Sequence, residues 1–280
     1  IAEIFAAVDG RLPRPSDWVG GPGGIKPDPR PWEKVAPEYA FVSQLEALRD
    51  RIIGPGNLER FDYWLHLFRY MRANGQVNCT WAAYNAAVTK AKQAPDPQEQ
   101  RRIAREEALP LRIRLVREAA ETHRYLLSHV STYGGLGNVA NWQQHVLPML
   151  LYDPGAELEQ LLGEPLPPEA RPGTVYDGPP RLIVPTQRTL LTAGEHFRLK
   201  VIALGLVPDR AVLRWRPLGE EAFREAALEH EARGVYRATI PAQDLVGDFE
   251  YYVEAQTGDA RLRYPAAAPE VNLSVVVLRP

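Results

Sequence analysis

The chain has 280 residues, a formal net charge of −2, 45% hydrophobic and 24% charged residues, and one cysteine. That length suits two folded units, and the well-mixed, near-neutral charge excludes a field that would draw in nucleic acid or an anionic membrane. The lone Cys79 excludes an internal disulfide and any metal site completed by several thiolates.

No apolar run approaches the roughly 20 residues that a helical membrane span needs. Residues 1–8 read as an amphipathic helical stretch rather than a signal peptide, and a start at Ile1 without methionine suggests a cut. Asn-x-Ser/Thr triplets begin at Asn78 and Asn272, one in a predicted helix and one in a predicted strand, so both read as chance.

Residues 10–37 hold seven prolines and five glycines, which neither a helix nor a strand interior tolerates. Two large apolar side chains, Trp18 and Trp32, sit among them, so residues 1–37 are expected to form an extended strap pinned by its tryptophans. The alternative is a tether with incidental tryptophans.

Residues 38–152 are expected to form an antiparallel α-helical bundle. Phe41, Leu45 and Leu48 share a helical face, and Phe61, Trp64, Leu65, Phe68 and Met71 form the next apolar stripe. Gly75 and Asn78 predict a kink or break in that helix. Asp96 followed by Pro97 and Glu99 is a start signal for a further helix, which Pro110 should kink or divide before it carries Val116, Ala119, His123, Leu126 and Val130 on one face. Gly134, Gly135 and Gly137 predict a loop before a shorter helix over 139–151.

Residues 153–173 read as a Pro-rich linker, and 174–280 as a second domain with period-two alternation. Strands are expected at 181–184, 197–204, 211–215, 235–240, 249–255 and 273–278, with a weaker one at 222–228. This spacing suggests an immunoglobulin- or fibronectin-like β-sandwich, so the predicted fold class is α+β as two separate domains. Phe249, Tyr251, Val253 and Ala255 should face the core, with Glu250, Tyr252 and Glu254 on a solvated outer face.

No complete catalytic constellation emerges. Asp248, Glu250 and Glu254 fit a solvated sheet face as well as an acid/base pair, and Glu118 and Glu121 fit a charged helix surface. Asp62 and His66 stand one helical turn apart without a third ligand, His123 fits a satisfied core histidine, and Cys79 has no evident base. Hence no catalytic residue, metal ligand or cofactor is assigned. The segment 131–145 differs in kind: glycines expose backbone, while Tyr133, Asn138, Asn141, Trp142, Gln143 and His145 offer flat apolar faces beside neutral hydrogen-bonding groups, as sugars require. The bland alternative is a helix-packing corner around a buried tryptophan.

The run Gly56-Asn57-Leu58-Glu59-Arg60-Phe61-Asp62-Tyr63-Trp64-Leu65, the segment 133–142 and the strand-like segments 234–241 and 248–255 resemble the C-terminal portions of large bacterial glycoside hydrolases. The resemblance implies helical and immunoglobulin-like modules following a catalytic (β/α)₈ barrel, which would lie upstream of Ile1 with its acidic pair. It implies an accessory region of a polysaccharide- or oligosaccharide-degrading enzyme, with that barrel and carbohydrate as partners; the compartment stays open, a periplasmic or extracellular one being favoured. The competing readings are a stand-alone carbohydrate-binding or protein-interaction module, and an enzyme with its site between the two halves.

Overall fold

The computed structural model describes residues 25–278, and within them α-helices combine with antiparallel and mixed sheets, an α+β architecture. The chain divides into two compact units that alternate along the sequence. One holds the described residues up to Asp50 with Tyr63–His129 and Gly137–Val175; the other holds Arg51–Asp62, Val130–Leu136 and the residues from Tyr176 onward.

In the first unit the strap expected as extended is partly helical. Helix α1, Trp32–Val35, leads through a 3-10 turn, Ala36–Tyr39, into α2, Ala40–Glu46. Ile25 and Val35 are buried, and the Asp28 N–H donates to the Asn78 carbonyl at 3.0 Å, so this part is pinned to its neighbours. Trp18 lies outside the described residues.

Helix α3, Pro55–Gln93, runs without the break expected near Gly75 and Asn78. Its inward residues include Leu65, Phe68, Val77, Trp81, Tyr84 and Val88, whereas Trp64, expected in the apolar stripe, is 42% exposed. Gly75 serves a packing role instead: a Cβ there would stand 2.8 Å from the Tyr39 ring. A glycine that weakens an isolated helix here admits a phenol from a neighbouring segment.

Helix α4, Pro97–Ile103, starts as expected, with the Asp96 carboxylate accepting from the Gln98 and Glu99 N–H groups at 3.0 and 2.9 Å. Pro110 does not divide the helical path beyond it. A π-helical turn, Ala104–Ala108, precedes this proline and joins α4 to α5, Leu109–His129. The same device recurs, with π turns at Trp142–Val146 before Pro148 and at Pro148–Tyr152 before Pro154. Proline cannot donate to the carbonyl four residues back and its ring crowds it, and the wider turn relieves both problems. The helical path therefore continues as α7, Asp153–Leu162, through a stretch read as linker. It ends at Gly163, whose φ of 70° suits a left-handed cap.

The second unit carries the strands. One sheet has the order β1 (Arg181–Ile183), β3 (Phe197–Leu204), β7 (Val235–Ile240) and β6 (Glu229–Ala232), all antiparallel. The other runs β2 (Leu190–Thr192), β10 (Leu273–Leu278), β8 (Phe249–Thr257), β4 (Arg210–Pro217) and β5 (Arg224–Ala227), with β9 (Ala260–Tyr264) also on β8. It is mixed because β2 pairs parallel with β10. Strands β9 and β10 share one edge of β8, pairing with Val253–Thr257 and Phe249–Tyr251 respectively. The inner faces of both sheets form one core, in which Phe197, Leu199, Leu213, Trp215, Ala238, Phe249, Tyr251 and Val253 are buried.

The expected inward set on β8 is correct, but its outer face is not simply solvated. Tyr252 and Glu254 are buried there too. Arg263 donates to Glu254 at 2.8 Å, Arg216 to Glu250 at 2.6 Å, and Asn272 to Glu250 at 3.1 Å. Alternating charge across β4, β8 and β9 thus makes an ion-pair ladder.

Candidate functional site

The segment 131–145, expected as a glycine loop, is mostly helical: α6, Tyr133–Asn141, leads directly into the π turn beginning at Trp142. Thr132 caps it, its hydroxyl accepting from the Gly135 N–H at 3.1 Å and its carbonyl from the Leu136 N–H at 2.9 Å. One cap, worth about 1 kcal/mol, does not offset three glycines at about 1 kcal/mol each, and burial of Trp142 and Val146 in the turn that follows supplies the rest. Tyr133, Asn138, Gln143 and His145 are exposed, Asn141 is half-buried, and Trp142 is buried at 2% exposure. Trp142 therefore has no open face for a ring ligand.

What Trp142 does is organise neighbouring rings. Its indole Nε1–H donates to the Tyr70 hydroxyl at 2.8 Å, and its ring lies 6.1 Å from His123. Gln143 reaches the same histidine, amide nitrogen to Nε2 at 3.3 Å. Tyr70 in turn contacts His129 at 5.5 Å, and His129 contacts Tyr63 at 6.2 Å. Tyr63 and Trp64 meet edge to face at 5.2 Å, both more than one-third exposed. Aromatic and imidazole rings from α3, α5 and the Trp142 turn thus form a chain that surfaces at Tyr63 and Trp64.

Burial sets the charge state within it. It pushes the Tyr70 phenol above its usual range, against the opposing hydrogen bonds from Asn74 and Trp142, and it lowers the His123 imidazole. The His129 Nδ1 lies 2.8 Å from the Tyr125 carbonyl and donates to it, which fixes the ring. Tyr70 and His123 are thereby held neutral and oriented, and the exposed end of the network offers π faces.

Sequence reasoning placed Trp64 in the core and passed over Tyr63. A usable signal existed: adjacent helical residues differ by about 100°, so Tyr63, Trp64 and Leu65 cannot all face one core.

The other candidates resolve differently. Glu118, expected on a charged helix surface, is buried, its Oε1 accepting from Arg114 and Gln76, each at 2.7 Å. Burial pushes the Cys79 thiol up to about 11, away from nucleophilic chemistry. At Glu254 burial works to raise the carboxyl pKa, but the Arg263 hydrogen bond and the Arg261 and Arg214 charges prevail and hold it low, the reverse of a general acid. Among the described residues no group of three or more His, Cys, Asp or Glu side chains is placed to hold a metal ion. No helix among them is long and apolar enough to cross a membrane.

No family model matches the sequence, and no curated protein matches it. Among solved structures, a chain from the work on T cell activation by the bacterial superantigen toxic shock syndrome toxin-1 is 9% identical, with a TM-score of 0.29 over 36% of this chain and 100% of that one. A chimeric titin Z1Z2 is 15% identical, with a TM-score of 0.26 over 36% of this chain and 95% of its own. The twitchin kinase region of C. elegans is 13% identical, with a TM-score of 0.27 over 91% of this chain and 47% of its own, so this chain spans under half of that protein's length.

Proposed function

We propose that this chain is a non-catalytic accessory region of a glycoside hydrolase, with an immunoglobulin- or fibronectin-like sheet unit as support and an aromatic surface that touches carbohydrate. The observation that favours it is convergence: the run at 56–65 and the segment at 133–142, which carry the resemblance to glycoside hydrolase C-terminal portions, contribute rings to one network ending in the exposed Tyr63 and Trp64. Exposed aromatic rings can stack on the C–H faces of pyranoses, which is what recommends this pair. Of the sequence candidates, Asn138, Gln143 and His145 are exposed on the same unit as Tyr63 and Trp64, whereas Trp142 acts as the support behind the network.

The test is affinity electrophoresis of the whole chain through gels containing soluble polysaccharides. Retardation by at least one, lost in Trp64→Ala while the variant remains folded at the temperature of the gel, supports the reading. Equal migration through all of them, or retardation that survives both Trp64→Ala and Tyr63→Ala, removes it. The same protein should leave aryl glycosides uncleaved, and turnover abolished by a single Asp or Glu substitution would replace the accessory reading with a catalytic one.

A further inference from the structure

A hollow of about 330 Å³ opens between the residues around α1 and helices α3 and α5. Its floor holds Ala83 and Ala86, both exposed, where short side chains on α3 leave a gap, and Trp32 and Leu111 stand at its sides, each half-buried. The walls are set before any ligand arrives, because the Asp28 to Asn78 backbone bond and the Trp32 contact with Tyr39 at 6.0 Å hold the α1 segment in place. Such a volume lies at the small end of ligand sites and admits one ring.

Two guanidiniums line this hollow, and they are not equivalent. Arg30 is engaged on both sides, by Asp28 at 2.6 Å and Glu38 at 2.9 Å. Arg114 uses only its Nε, toward Glu118 at 2.7 Å, and its two terminal nitrogens have no hydrogen-bond partner among the described residues. That free edge is a planar fork matched to the two oxygens of a carboxylate. Glu33, the acid on the rim, is exposed and screened by solvent.

We propose that this hollow binds a small ring-bearing carboxylate, its ring against Trp32 and the alanine floor and its carboxylate on the Arg114 fork. Aromatic acids and sugar acids share this chemistry. Isothermal titration of the whole chain with benzoate and with glucuronate, each beside its uncharged counterpart, benzyl alcohol and glucose, separates the two sources. At least one carboxylate should bind about tenfold more tightly than its neutral counterpart and should shift the Trp32 indole resonance. Arg114→Gln should erase that preference. Because Arg114 also neutralises the buried Glu118, a second variant is needed: Ala83→Leu fills the hollow from an exposed position, keeps the fold, and should abolish binding. Equal binding of charged and neutral rings, binding that persists in Ala83→Leu, or no heat from either carboxylate at millimolar concentration would overturn the proposal.

Discussion

Trp142 shows how one residue type supports opposite readings. Its neighbours in sequence are amides and glycines, a ligand-like setting, yet the indole is buried and bonded to Tyr70. Trp142→Ala should cost about 3–5 kcal/mol in urea unfolding, because it removes a packed ring and one of the two side chains that hydrogen-bond the Tyr70 hydroxyl. Trp64→Ala, at a position 42% exposed whose ring stacks on Phe68, should cost clearly less in the same measurement than Trp142→Ala. Glu254 gives a prediction of a different sort. Its folded pKa is held below the ordinary value, so its stabilisation is full above the unfolded pKa and is lost as pH falls through the folded one. Glu254→Gln should lower the melting temperature near neutrality and flatten its decline in acid, as calorimetry across the acid range would show.

At the scale of elements, what could be read from the sequence was what local chemistry dictates. Asp96, Pro97 and Glu99 announce a helix start that satisfies its own N–H groups, and the alternation of Phe249, Tyr251, Val253 and Ala255 is the pleat of β8 written out. The misread elements depend on partners far away in sequence or on geometry without a composition cue. Strands β2, β6 and β9 are short and carry few core residues, so no period marks them. The π turns before Pro110, Pro148 and Pro154 kept helices going where proline alone predicts a stop. Gly75 is intelligible only with Tyr39 against it. Gly75→Ala should therefore destabilise the protein although alanine favours an isolated helix by about 1 kcal/mol. In the Tyr39→Ala background the same change should become neutral or stabilising, and a double-mutant cycle by chemical denaturation measures that reversal.

At the scale of the whole molecule, the change of hydrophobic period supported the α+β class and the resemblance supplied a functional expectation, but the candidate site moved. Its exposed end is Tyr63 and Trp64, on a helix read as core, while the ring expected to stack on sugar became the support behind them. Helical spacing shows that Tyr63, Trp64 and Leu65 cannot all turn inward, but which of them is left outside, and that Trp142 is covered, depends on neighbours distant in sequence. The composition of the sheet unit has a further consequence. Residues 51–62 and 130–136 belong to it together with the strands, and the Glu59 carboxylate accepts the Ala266 N–H at 3.1 Å across 207 residues of sequence. A fragment cut at the boundary that composition suggests, 174–280, would leave two pieces of its own unit behind. Such a fragment should melt below the same unit in the whole chain and exchange the Ala266 amide hydrogen faster. During synthesis, the ribosome would deliver the first of those pieces more than a hundred residues before β1 existed to receive it.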